Sequence, residues 1–305
     1  MAEDKRIGFK HVIVLGAGAI GSYYGALLSK EIDVLLLGRR DHVDAVNAGG
    51  LLVSGEVEGR FHLIASTELT EIPRDALILL TTKAQDSETA IRGIRSLLVP
   101  HTMILVLQNG LGNEEAVRAL LDPGIEVIRG LATSGVEFLA PGEIEVKLVG
   151  ETVLPRTETG ERIKRLLDSC GLETRLSDRM DVELWRKLTM NCVINPLTAL
   201  FRVPNNEIAA ECLEGVRRRI VDECIEVARE EAVVLDPSLG GEVTRAAARY
   251  SNLSSMCQDV IRGRRTEIDF LNGRVSELGR RHGVNTPVND VMTALIRFME
   301  GRRWR

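Results

Sequence analysis

Long hydrophobic runs are missing from this 305-residue sequence. Its apolar stretches are strand-sized, well short of the ~18–20 residues that cross a bilayer, so no membrane segment is expected. An excess of positive charge is missing too. Lys and Arg number 39 against 44 Asp and Glu, a net charge of −5, which gives no general reason to expect nucleic acid. Cysteine is sparse and scattered: Cys170, Cys192, Cys212, Cys224 and Cys257 make no C-x-x-C pair. This odd set reads as reduced thiols of a cytoplasmic protein, not as disulfides or a metal site. Residues 1–10 are charged and lack the apolar segment of a secretory signal, so they read as a tail. The Arg-rich end, residues 301–305, reads as a solvated or docking end. No internal repeat or low-complexity tract stands out. What is there, 44% hydrophobic and 27% charged residues, suits about two domains with a packed core.

The most informative stretch is Val12-Ile13-Val14-Leu15-Gly16-Ala17-Gly18-Ala19-Ile20-Gly21. Four apolar residues, three of them β-branched, predict a buried parallel strand. A G-x-G-x-x-G turn follows, and the small, apolar residues up to Leu28 predict a helix. Gly16 permits the tight turn, and Gly18 lets a pyrophosphate approach the backbone. Gly21 lets the helix pack close to the strand, with its N-terminal N–H groups aimed at the phosphates. Strand before, helix after and a second strand on schedule make this a dinucleotide-binding pattern rather than a generic glycine turn. That second strand, residues 33–37, ends at Gly38-Arg39-Arg40. An NAD site usually places an acid here for the ribose 2′-hydroxyl. Two arginines instead offer planar forks to a 2′-phosphate, so NADP(H) is expected over NAD(H), with Asp41 as the competing acid.

Further on, residues 51–65 predict extra β-structure inserted before a strand at 76–82. Lys83 follows that strand's carboxyl end, facing the ligand crevice or simply water. A helix at 87–98 and a strand at 102–107 lead to Asn109-Gly110, which is also an ordinary turn signal. A strand at 127–131, a hairpin at 136–149 around Ala-Pro-Gly, a helix at 159–170 and a last β-segment at 173–176 complete the alternation. That alternation argues a doubly wound parallel sheet. Past residue 178 the strand signals stop. Amphipathic segments at 182–200, 208–232, 241–250, 255–282 and 289–299 take over. The expected architecture is therefore α/β: an N-terminal Rossmann-type doubly wound sheet over residues 1–178, then an all-α C-terminal domain over 179–305. Active sites commonly lie in clefts between such domains.

A nicotinamide cofactor performs hydride transfer, and the protein must orient a substrate, hold its charge and supply a proton. Histidine is too scarce for an obvious donor: His11, His42, His62, His101 and His282 are all there are, and none has a catalytic setting. Lys187, Asn191 and Asn195 recur at i, i+4 and i+8, which puts them on one helix face. Asparagine is a poor helix former, so two of them in an apolar helix need partners. Either they bond neighbouring backbone while Lys187 snorkels to water, or they form a polar stripe facing a substrate. In the second case a partly desolvated Lys187 is a proton donor. Ser255-x-x-Gln258 matches a capping box, so Ser255 is expected to start a helix, where it can also receive a carboxylate. Glu267 sits among arginines, the pattern of a surface ion pair.

At these residues the chain resembles the ketopantoate reductase (2-dehydropantoate 2-reductase) family. The resemblance is carried by the glycine turn, Lys83-Ala84, Asn109-Gly110, Glu183-Leu184-Trp185-Arg186-Lys187-Leu188, Asn191 to Ala199, Ser254-Ser255-Met256 and Thr266-Glu267-Ile268-Asp269. It implies NADPH-dependent reduction of 2-dehydropantoate to pantoate on the route to pantothenate and coenzyme A. It implies that Lys187 is the proton donor, with Glu267 beside it. Asn191, Asn195, Asn205, Asn252 and Ser255 match substrate-binding positions. Gly16, Ala17, Gly18, Ala19, Ile20, Gly21, Arg39, Lys83, Asn109, Val136 and Glu267 match positions at the cofactor, Val136 through its backbone. Arg40 competes with Arg39 for the 2′-phosphate. Two rivals remain: the same scaffold reducing another branched 2-oxo acid, and a regulatory protein that senses NADP(H) without turnover. No nucleic acid or membrane partner is expected. The amphipathic C-terminal helices suit a homodimer contact or intramolecular packing equally.

Overall fold

The computed structural model describes residues 8–300. Residues 1–7 and the end at 301–305 lie outside the described residues. The rest of the tail expected at 1–10 is no tail, since Phe9 is buried in the core and Lys10 N–H donates to Asp75 O at 3.2 Å. The chain divides into two units: Met1–Gln108 with Gly112–Met180, and Asn109–Leu111 with Asp181–Arg305.

The first unit's strands are β1 (His11–Leu15), β2 (Asp33–Leu37), β3 (Leu51–Gly55), β4 (Gly59–Phe61), β5 (Ile64–Ser66), β6 (Ala76–Leu80), β7 (Met103–Val106), β8 (Glu126–Arg129), β9 (Leu131–Ala132), β10 (Gly135–Ala140), β11 (Glu143–Leu148), β12 (Thr152–Pro155) and β13 (Thr174–Ser177). Its helices are α1 (Ala19–Leu28), α2 (Arg40–Gly49), α3 (Ser87–Ile94), α4 (Asn113–Arg118) and α5 (Glu158–Ser169). The main sheet runs β5-β2-β1-β6-β7-β8, with every neighbouring pair parallel. Along β1, Val12 and Val14 join one core cluster while Ile13 and Leu15 join another; Leu77 and Leu79 separate from Ile78 and Leu80 in the same way on β6. Both sheet faces are covered, which is why these strands read as continuous apolar runs. The strand order reverses between β1 and β6, the switch point at whose carboxyl ends doubly wound folds bind ligands.

Three details depart from expectation. Residues 51–65 do not form one insertion. β3 and β4 pair antiparallel and join β10 and β11 in a second sheet, β10-β11-β3-β4, whereas β5 is the edge strand of the main sheet. The expected strand at 127–131 is broken at Gly130, where a methyl group would stand 2.8 Å from Leu105 Cδ1. β8 stays in the main sheet, and β9 leaves for a third one, β13-β12-β9. β12 itself went unpredicted. His42 on α2 is structural. Gly142 N–H donates to its Nδ1 at 2.9 Å, and its Nε2 donates to Ser22 Oγ on α1 at 3.0 Å. One neutral ring thus ties α1 and α2 to the β10–β11 turn.

The second unit consists of α6 (Met180–Phe201), α7 (Glu214–Glu230), α8 (Leu239–Arg249), α9 (Ser255–Ile261), α10 (Asn272–His282) and α11 (Pro287–Met299). Trp185, Leu188, Cys192, Val193 and Leu197 of α6 pack with Ile220, Cys224 and Val227 of α7 and with Val275 and Leu278 of α10. The expected helix at 255–282 is interrupted. Gly263, at φ +62, takes the chain out of α9, and a 3₁₀ turn at Ile268–Phe270 precedes α10. The segment from 208 likewise opens as 3₁₀ turns, Asn205–Ala209 and Glu211–Leu213, before α7 begins. Among the described residues, no helix is long and apolar enough to cross a membrane.

Candidate active site

The first unit places its predicted residues around the β1–β6 switch point. Gly16, at φ +116, has no room for a side chain: a Cβ would lie 2.5 Å from Thr82 N. Gly21 is as tight, with a Cβ 2.3 Å from Gly16 O, so α1 packs hard against the turn. Gly18 is the opposite case. It is exposed, and a methyl group there would meet nothing within 4 Å. Gly18 is also the N-cap of α1, with no side-chain cap and no acid in the first turn. Positive helix-end amides beside bare backbone fit a pyrophosphate. The turn is pinned from both sides. Gly16 N–H and Ala17 N–H donate to Leu37 O at 3.1 and 2.8 Å, and Thr81 Oγ1 donates to Gly16 O at 2.9 Å.

Arg39 is the N-cap of α2 and Arg40 its first residue; both are exposed, with Asp41 in the same first turn. Lys83 is half-buried just past β6 and opens the 3₁₀ turn Ala84–Asp86. Val136 lies at a register shift in β10, its side chain against the core. Sequence reasoning missed what holds this rim. Gln108 is buried just past β7, and its Nε2 donates to Thr82 O at 2.9 Å, to Ser87 Oγ at 2.7 Å and to Lys83 O at 3.3 Å. The buried Arg129 guanidinium donates to Gln108 O at 2.5 Å and to Val106 O at 2.9 Å. The available signal was a polar residue ending an apolar strand, where an unpaired amide would be costly.

The second unit gathers the rest. Lys187, Asn191 and Asn195 all lie on α6 at successive four-residue steps, half-buried at the first two positions and buried at the third. Neither asparagine side chain hydrogen-bonds another described residue, so of the two alternatives the one with amides satisfied by neighbouring backbone is not the one found. Asn205 and Asn252 meet: Asn205 N–H donates to Asn252 O at 3.0 Å, and Asn205 Nδ2 to Asn252 Oδ1 at 3.4 Å. Asn205 Oδ1 is buried with no hydrogen-bond partner among the described residues. Glu267 is buried, not a surface ion-pair partner, and Asn109 Nδ2 donates to its Oε2 at 3.4 Å. Gly110 makes that approach possible, because a Cβ on it would lie 2.4 Å from Phe270 O. The turn before Glu267 is fixed by Glu300, whose Oε1 accepts from Thr266 N–H at 2.8 Å and Thr266 Oγ1 at 2.6 Å.

The expected capping box does not form, and Gln258 Nε2 donates instead to Leu253 O at 3.2 Å. Ser254, not Ser255, caps α9, accepting from Cys257 N–H at 3.1 Å. Ser254 Oγ also lies 2.6 Å from Thr198 Oγ1, which bonds the Ile194 and Asn195 carbonyls of α6. Ser255, exposed, is released from that structural duty. Chemically, the predicted site residues of this unit offer one ammonium, one buried carboxylate, that of Glu267, and a set of uncharged amides. That assembly suits a small oxygen-rich anion whose reacting oxygen gains charge.

Residues 12–159 match the profile of ketopantoate reductase PanE/ApbA, and residues 179–300 match that of its C-terminal domain. The chain is 33% identical to the 2-dehydropantoate 2-reductase of Pyrococcus horikoshii over 297 residues, covering 95% of this chain and 97% of that one. A PanE/ApbA family ketopantoate reductase from Ralstonia eutropha superposes with a TM-score of 0.89 at 32% identity, over 95% of this chain and 98% of that one. D-mandelate dehydrogenase, solved with NADH and anilino(oxo)acetate, superposes with a TM-score of 0.84 at 28% identity, again over 95% and 98%. With glycine turn, α6 polar face and Glu267 turn all in family order, this chain belongs to the ketopantoate reductase family of oxidoreductases.

Proposed function

We propose that this protein reduces 2-dehydropantoate to (R)-pantoate with NADPH, a step toward pantothenate and coenzyme A. The observation that carries the reading is the α6 face, where Lys187, Asn191 and Asn195 line up in the same unit as the buried Glu267–Asn109 pair. When bound, the nicotinamide supplies the hydride for C2 of the 2-oxo acid. Gly16 to Gly21, Lys83 and the backbone at Val136 hold the dinucleotide. Arg39, with Arg40 next to it, takes the 2′-phosphate that an acid at this position would repel. The Lys187 ammonium stabilises the charge developing on the ketone oxygen and gives it a proton. Ser255 holds the substrate carboxylate, and Asn191, Asn195, Asn205 and Asn252 orient the remaining oxygens. Glu267 positions Lys187 or the distal hydroxyl, and Asn109 steadies Glu267.

A second reading has its own support. The NADH-bound D-mandelate dehydrogenase shares this fold at 28% identity, which favours a different 2-oxo acid on the same machinery. Steady-state turnover separates the two. NADPH and NADH are each titrated with 2-dehydropantoate, then with simpler and aryl-substituted 2-oxo acids. The first reading expects the highest kcat/KM for NADPH with 2-dehydropantoate. A higher value for another acid transfers the assignment to it. Tight NADPH binding without turnover of any 2-oxo acid would instead leave a cofactor sensor.

A further inference from the structure

We propose that Asn272 is a positioning residue for the α6 face, because its side-chain amide supplies the hydrogen bond that Pro196 withholds from the Cys192 carbonyl. In an uninterrupted helix that carbonyl pairs with the N–H of residue 196. Proline has no N–H, and its ring crowds the same carbonyl. Here Asn272 Nδ2, at the start of α10, donates to Cys192 O at 2.9 Å. The same nitrogen donates to Asn289 Oδ1 at 2.9 Å. Asn289 Nδ2 in turn donates to Glu223 Oε2 at 2.7 Å. The Glu223 carboxylate also accepts Val288 N–H and Asn289 N–H at 2.9 Å each, at the N-terminus of α11. Asn272, Asn289 and Glu223 are all buried, at 7% exposure or less. A polar chain from α7 through α11 and α10 thus reaches α6 at the turn where the helix's own bonding fails.

The position of that turn gives the chain its consequence. Cys192 follows Asn191, and Pro196 follows Asn195. The unsupported turn therefore separates Lys187 and Asn191 from Asn195. Helices bend where a ladder bond is lost, and a bend here changes the angle between the two halves of the face. A misplacement of about 1 Å at reacting groups costs on the order of a hundredfold in rate. This inference rests on reading that face as the substrate-binding one.

The test is a double-mutant cycle of Asn272→Ala with Pro196→Ala, since the second change returns an N–H to position 196. Kinetics use the full chain with NADPH and the best 2-oxo acid; circular dichroism at the assay temperature reports folding. For Asn272→Ala we expect kcat to fall about tenfold or more, with the KM for NADPH unchanged and the dichroism of the parent. In the Pro196→Ala background the same change should be nearly silent. A kcat for Asn272→Ala within twofold of the parent overturns the proposal, as does an equal loss in both backgrounds. If Asn272→Ala fails to fold, the comparison of Pro196→Ala with the double variant decides alone: equal kcat supports the proposal, and a further tenfold loss overturns it. A parent that turns over no 2-oxo acid sinks the functional reading separately. Amide hydrogen exchange across residues 191–200 then decides: acceleration by Asn272→Ala that Pro196→Ala cancels supports the proposal, and unchanged exchange ends it.

Discussion

The two units differ in the materials of their candidate sites. The first uses backbone: three glycines, the amides at the start of α1, and carbonyls held by Gln108 and Arg129. The second uses side chains: an ammonium, a buried carboxylate and a row of amides along α6 and its neighbours. Backbone sites suit a ligand part that every dinucleotide shares, such as a pyrophosphate. Side-chain sites can be exchanged residue by residue, so a family can keep its cofactor turn while altering its substrate. On this view, damage to the first unit should appear in cofactor affinity and damage to the second in turnover.

The sharpest break would come at Lys187. Replacing it with Ala should lower kcat by about 10²–10⁴, with NADPH affinity by fluorescence titration nearly unchanged; near-parent turnover would remove it as proton donor. Gly18→Val probes the other side. Its Cβ meets no protein atom, so the variant should melt like the parent yet lose NADPH affinity about tenfold or more, as befits lost contacts to a charged group. Gly16→Ala, by contrast, runs into Thr82 N at φ +116, so its melting temperature should fall through a strain of about 1–3 kcal/mol. If both glycine variants behaved alike, the distinction between turn geometry and ligand approach would be lost. Arg39→Ala should raise the KM for NADPH about tenfold and leave NADH nearly untouched, the loss of one charge-assisted contact; an equal effect on both cofactors would point to Arg40 or to NADH.

The smallest effect concerns pH, and it belongs to the first unit alone. Burial holds the His42 imidazole below its ordinary value of 6.5. The unfolded chain therefore takes up a proton near pH 6.5 while the native ring resists it. His42 contributes its stability above pH 6.5, and that contribution drains away as pH falls toward the lower native value. Thermal melts at pH 7.5 and 5.5 should show a drop that His42→Gln reduces. Equal drops would assign the acid sensitivity elsewhere.

How much of this was legible in the sequence follows the same division. β2 was readable to the residue, and the glycine turn gave its strand and helix, because buried parallel strands and backbone turns leave local signatures. The split at Gly130 and the departure of β5 from β4 were not readable, since they depend on which sheet a short segment joins. The α6 face was visible as a spacing, but whether its amides were satisfied was not, because partners for Asn191 and Asn195 would come from distant segments. Pro196 was in plain view, yet its remedy, Asn272, lies 76 positions away. The arginines around Glu267 gave the pattern of a surface pair, and its burial was not readable from them because the chain leaves α9 at Gly263 and does not continue as the expected helix.

The adjacent serines at the head of α9 divide their labour. Ser254 is committed to the interior, bonded to Cys257 N–H and Thr198 Oγ1, while Ser255 has no part in holding the helix start. Position 255 is consequently a site of mutational latitude. An evolving or redesigned chain can trade that hydroxyl for other groups at little thermodynamic expense, a freedom the neighbouring position lacks.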